Sequence, residues 1–216
     1  MTAFALVRHG ETDWNRARRI QGATDIPLND TGREQARAAG RVVAGRAWSR
    51  VVASPLVRAA ETARLIAEEA GLGEPELDAA FVERNYGEAE GLTGADLDAR
   101  FPDGAEVPGR EPREAVADRV LAGLHRLAAA YPGEAIIVVA HGGVIRSVLE
   151  SVAPGRHREP ITNGSVHSFQ HADGGLELVR FDDPIDEQSI FPLAEDFLEQ
   201  NALARRERER EHTAGA

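Results

Sequence analysis

Apolar positions along this chain alternate between short unbroken runs and a recurrence every three to four residues. Residues 4–8, 50–53 and 135–140 are short apolar runs of the kind that a parallel sheet buries on both faces. Between them, residues 33–44, 55–70 and 111–131 carry apolar positions at helical spacing, and in the last of these Val116, Val120, Leu124 and Leu127 share one face. Helix starts are expected at Asp30 or Thr31 and at Ser54-Pro55, where serine would cap and proline would take the first helical position. Stops are expected at Gly71 and at Pro132-Gly133. Residues 75–79 read as extended, 94–101 as a short helix, 104–112 as loop and 142–152 as a helix. Residues 81–91 are too polar and too rich in glycine for a plain core strand. Residues 165–170 and 176–181 flank Asp173-Gly174-Gly175 as a hairpin, and residues 193–204 are expected to form a last helix.

This order predicts an α/β protein, a single three-layer α/β/α domain with a mostly parallel central sheet. The 216 residues suffice for one full core, with no internal repeat or flexible linker, so one domain is expected over 1–204. The mixed-charge residues 205–216 are expected to form a disordered tail.

Composition narrows the function. The absence of cysteine removes disulfides, thiolate metal sites and cysteine nucleophiles. The start lacks a basic, signal-like region, and no run approaches the roughly 20 apolar residues of a membrane span, so a cytoplasmic protein without a membrane partner is expected. A net charge of −11 speaks against nucleic acid as a partner. It is compatible with a locally basic pocket: Arg8, Arg16, Arg18 and Arg19 lie close together, although a solvated loop would explain the last three equally well. Oligomeric state is left open, with a homodimer as the candidate.

Two histidines stand where a strand gives way to a helix: His9 in Leu6-Val7-Arg8-His9-Gly10-Glu11-Thr12, and His141 in Val139-Ala140-His141-Gly142-Gly143. Ligands of open α/β sheets bind beyond the carboxyl ends of the strands, so the two imidazoles are expected in one pocket. Arg8 would bring a fork of donors suited to phosphate oxygens. Arg58 falls in the first turn of its helix, where the dipole disfavours a cation and a bound anion would reverse the penalty. Read alone, Arg58 fits an arginine reaching water or Glu61 equally well. Gly142 would let backbone N–H groups approach a ligand at a helix N-terminus. A metal site built from the two histidines with Glu11 and Asp13 lacks ligand spacing and would face two arginines, so none is expected. His125, His157, His167, His171 and His212 read as ordinary surface or strand residues.

Together, Leu6 to Thr12, Ser54-Pro55 with Arg58, Glu83 in Val82-Glu83-Arg84-Asn85-Tyr86-Gly87-Glu88-Ala89-Glu90-Gly91, and Ala140-His141-Gly142 resemble the histidine phosphatase superfamily, also called phosphoglycerate-mutase-like. The resemblance runs from Phe4 to about Leu149. It implies a phosphohistidine on His9, a phosphoryl group held by Arg8, Arg58 and His141, and Glu83 as proton donor to the leaving oxygen. A phosphate dianion beside Glu83 would favour the protonated form this role needs. The resemblance also places Asn15, Gln21 and Gly22 against the phosphate or the adjoining substrate. Without the surrounding motifs, Glu83 would read as a surface partner of Arg84. The function implied is a phosphomonoesterase that needs no metal or other cofactor and acts on a small phosphorylated metabolite. The alternative is a cofactor-dependent phosphoglycerate mutase. Mutases of the family carry a longer, basic insertion before the second histidine and tend to have asparagine where this chain has Gly143, whereas residues 96–106 here are short and acidic. In the mutase's favour, residues 83–87 resemble its version of the segment, and Arg84 and Tyr86 would hold a substrate carboxylate. A non-catalytic phospho-ligand binder would be expected to have lost one of the five core residues, and all five are present.

Overall fold

A computed structural model of the protein describes residues 1–102 and 105–183. The elements are β1 (Thr2–Arg8), α1 (Asp13–Arg16), α2 (Asp30–Ala44), β2 (Arg50–Ala53), α3 (Val57–Ala70), β3 (Glu76–Leu77), α4 (Gly94–Arg100), α5 (Arg113–Ala130), β4 (Ala135–Ala140), α6 (Gly142–Val152), β5 (Val166–Ala172) and β6 (Gly175–Arg180). The six strands form one sheet in the order β3-β2-β4-β1-β5-β6. β1, β2, β3 and β4 pair in parallel, and β5 runs antiparallel to both of its neighbours. The sheet is therefore mostly parallel, as its apolar runs require.

Strand alternation assigns each helix layer to a face. Phe4, Leu6, Ile136 and Val138 pack with Val116, Val120 and Leu124 of α5 and Val148 and Leu149 of α6. Ala5, Val7, Ile137 and Val139 point the other way, against Ala39 and Val43 of α2 and Ala59, Ala63 and Ile66 of α3. Residues 4–7 and 136–140 are almost fully buried, and each large apolar side chain so enclosed contributes about 1.5–3 kcal/mol. β1 and β4 lie side by side at the centre, with Arg8 opposite Ala140, which delivers the chain to His9 and His141 at the same edge.

Several boundaries differ from those expected. α3 starts two residues late, with Leu56 at its N-cap and no side-chain cap from Ser54. The carboxylate that meets this helix end is Asp25, which accepts from Val57 N at 2.8 Å. Thr12 and Asn15 form a reciprocal capping box that starts α1 inside what reads as loop. The extended segment 75–79 shrinks to β3 followed by a 3₁₀ turn, Ala79–Phe81. The hairpin turns on two residues, Asp173 and Gly174, both at positive φ, as a type I′ turn demands. The expected helix at 193–204 and the tail 205–216 lie outside the described residues.

Candidate active site

His9 is 3% exposed and leaves β1 with its backbone N–H on Ala140 O, so β4 fixes where its ring begins. Its Nδ1 lies 2.7 Å from Gly10 O. A carbonyl oxygen only accepts, so Nδ1 carries the proton and Nε2 keeps its lone pair. Nε2 in turn faces Arg58 Nε at 3.3 Å. Burial, then Arg58 and Arg8, hold the imidazole well below its usual pKa, so it is neutral at pH 7. Gly10 has no room for a side chain: a Cβ would fall 2.1 Å from Gly32 O.

Arg58 is fully buried, and loop carbonyls hold its guanidinium: Nη1 donates to Thr24 O at 2.8 Å and Nη2 to Gly22 O at 2.7 Å. Glu90 holds that loop. Its carboxylate accepts from Ala23 N and Thr24 N, each at 2.9 Å, from the Thr24 hydroxyl, and from Tyr86 N at 3.0 Å. Burial lowers the Arg58 pKa against the opposing pull of Glu83, Asp25 and Glu90. The anion expected at this helix end is thus supplied in part by Asp25. Arg8 donates Nη1 to Ile161 O at 2.6 Å, and burial brings it down to about 10, still protonated at neutrality.

The His141 ring sits edge-on to that of His9, with centroids 5.1 Å apart. Its Nε2 lies 2.8 Å from Ser54 Oγ, while the buried Nδ1 has no hydrogen-bond partner among the described residues. Burial, then Arg58 and His9, push its pKa well down. Glu83 reaches the start of α6, where Oε2 accepts from Gly143 N at 3.0 Å, and Oε1 accepts from Arg84 N at 2.8 Å. A Cβ on Gly143 would come 2.5 Å from Glu83 Oε1.

His9, Arg8, Arg58 and Glu83 line one open pocket of about 100 Å³, and with them come Asn15, Gln21, Gly22, Tyr86 and Gly142, while His141 sits against the His9 ring without lining it. Asn15 and Gln21 are joined through the Thr12 hydroxyl, at 3.0 and 2.9 Å. Nine of the eleven expected residues therefore line the pocket, and His141 adjoins it through His9. Arg84 does not line the pocket; its Nε donates to Glu111 O at 2.7 Å. Of the early basic cluster, Arg8 and Arg19 line it and Arg16 pairs with Glu11 at 3.3 Å. Sequence reasoning missed Arg146 and Arg158, which also line it. It missed Asn163 too, buried and donating Nδ2 to His9 O at 2.9 Å. No motif flagged them. His167, read as ordinary, is a satisfied core histidine bonded to Ser165 Oγ and Asp182 N. Among the described residues no group of three or more His, Asp or Glu side chains is placed to hold a metal ion, and no helix is long and apolar enough to cross a membrane.

Comparison with known proteins gives a consistent result. The sequence pattern of the histidine phosphatase superfamily (branch 1) matches residues 4–184. The Bacillus subtilis protein described as uncharacterized phosphatase PhoE is 45% identical over 155 residues, covering 72% of this chain and 79% of that one. A 2,3-bisphosphoglycerate-dependent phosphoglycerate mutase of Gloeobacter violaceus is 34% identical over 165 residues, 69% of this chain and 74% of that one. Among solved structures, mycobacterial glucosyl-3-phosphoglycerate phosphatase with VO3 superposes with a TM-score of 0.74 at 29% identity, covering 83% of this chain and 98% of that one.

Proposed function

The chain belongs to the histidine phosphatase superfamily and is a phosphatase, and we propose that it hydrolyses small phosphomonoesters in two steps through a phosphohistidine on His9. The observation that carries this reading is the orientation of His9: with Nδ1–H on Gly10 O, the Nε2 lone pair faces the arginine-lined pocket. In the first step Nε2 attacks phosphorus, the bond to the ester oxygen breaks, and Glu83 gives that oxygen a proton. In the second, water attacks the phosphohistidine, Glu83 takes its proton, and the P–N bond breaks with its electron pair returning to Nε2. Arg8 and Arg58 face the equatorial oxygens, where charge accumulates, and being already held by carbonyls they need little reorganisation. With the Ser54 hydroxyl donating to His141 Nε2, the proton of His141 sits on Nδ1 as a further donor to the phosphoryl group. Asn15, Gln21, Gly22 and Gly142 complete the phosphate wall.

The substrate class we propose is a small phosphorylated metabolite, phosphoglycerate-like, in keeping with the phosphate ester named for the mycobacterial relative. Such charged molecules do not cross bilayers unaided, so the reading places the enzyme in the cytoplasm. Water is the acceptor because Gly143 lets Glu83 close on α6 and the segment before it is short and acidic.

The test is release of phosphate from p-nitrophenyl phosphate and 3-phosphoglycerate in EDTA, for wild type and His9→Ala. Turnover that disappears in the variant is expected. Unchanged turnover in the variant would refute the mechanism. Formation of 2-phosphoglycerate only when 2,3-bisphosphoglycerate is added would make the enzyme a mutase.

A further inference from the structure

The pocket holds more positive charge than one phosphoryl group uses. Arg8, Arg19, Arg58, Arg146 and Arg158 line it, and Glu83 is the single carboxylate among the described residues that does so. Arg8 and Arg58 stand beside His9. Arg19 and Arg158 are exposed, and Arg146 is half-buried. Like charges gathered at one cleft repel one another, and an anionic ligand relieves that repulsion.

Residues 157–161 follow a course fixed from inside the protein. Arg146 donates Nη1 to His157 O and Nη2 to Glu159 O, and Arg8 donates Nη1 to Ile161 O at 2.6 Å. His157 has a φ of +54°, in the left-handed region that strains a residue other than glycine. Its ring stacks on Phe181, with centroids 4.9 Å apart and planes at 18°. The strained residue directly precedes Arg158, and these anchors keep Arg158 at the pocket wall. Arg19 reaches the same pocket from the loop after α1, with Nη1 on Gly91 O at 2.6 Å.

We propose that Arg158 and Arg19 form a subsite for a second anionic group, carboxylate or phosphate, carried by the same phosphoester, and that Arg146 is the positioning residue of the Arg158 loop. This rests on the phosphatase reading above. It moves the recognition of a second anion away from Arg84, whose Nε is engaged by Glu111 O outside the pocket.

Binding separates the subsite from the chemistry. In a His9→Ala background, calorimetry with inorganic phosphate, 3-phosphoglycerate and 2,3-bisphosphoglycerate compares Arg158 with Arg158→Ala and Arg158→Lys, and Arg19 with Arg19→Ala. Each alanine variant is expected to weaken the two-anion ligands about tenfold or more beyond any change for inorganic phosphate, as loss of a charged hydrogen bond does. Lysine at 158 should restore part of the loss, and the ligand that loses more identifies carboxylate or phosphate as the group read. Equal weakening of all three ligands would overturn the subsite. In parallel, the enzyme with His9 intact is assayed on p-nitrophenyl phosphate, which has no second anion. Absence of turnover there would overturn the phosphatase reading while selective binding upheld the subsite.

Discussion

Two glycines set the closest approaches in the site. Gly10 lets the chain after His9 pass against Gly32, and Gly143 leaves the space that the Glu83 carboxylate occupies at the start of α6. Gly143→Ala should displace Glu83 and lower kcat about 100-fold for an alkyl phosphate, where protonation of the leaving oxygen matters most. The loss should be smaller for p-nitrophenyl phosphate, whose leaving group needs less help, and equal kcat for variant and wild type on the alkyl ester would show that this seat is unimportant. At this scale the sequence exposed what sits at strand ends. His9 and His141 follow apolar runs, and glycine marks each turn. Arg84 was misplaced because neighbours in an extended segment point to opposite sides: Glu83 faces α6 and Arg84 faces Glu111. Ser54 reads as a cap, yet its short distance is to His141, a contact across 87 positions that no local pattern announces.

Among the connecting segments, the loop that carries Gly22 and Thr24 does the most for the site, and Glu90 is its fastening. One carboxylate takes three backbone N–H groups and a hydroxyl, and the same loop offers Arg58 its two carbonyls. Glu90→Gln keeps the shape but leaves one oxygen to do the work of two, so unfolding free energy should fall by about 1–3 kcal/mol. The affinity for inorganic phosphate should fall with it as the Arg58 guanidinium loses its fixed aim; a phosphate affinity equal to wild type would show that Arg58 is held without the loop. The helices and central strands were legible because burial imposes a period on them, as in α5, where every core position recurs at helical spacing. The capping box of α1 was readable from Thr12 and Asn15 but lay in a stretch with too few apolar positions to suggest a helix. Arg146 and Arg158 gave no signal, since the pocket they share with His9 is assembled from segments far apart in the chain.

Among the described residues, three imidazoles are buried. His9, His141 and His167 are all kept below their ordinary pKa mainly by burial, His167 at about 3. An unfolded chain protonates each of them as pH falls through about 6.5, while the native protein does not. Stability from these groups is therefore complete above about 6.5 and drains as pH falls, by up to about 1.4 kcal/mol per unit for each, continuing to about pH 3 for His167. Urea midpoints measured from pH 7.5 to 4.5 should decline, and His167→Gln should flatten the decline by about that amount; identical slopes would show that His167 titrates alike in both states. The sheet divides the pocket between a base set by β1 and β4 and a rim set by loops, and the loop at 157–161 is tied down by its own carbonyl oxygens. Every amino acid carries that oxygen. Residues 158–160 are thus open to replacement without the loop losing its place, so a lineage that inherits this frame inherits its chemistry intact and a surface on which new tastes in substrate can be tried one residue at a time.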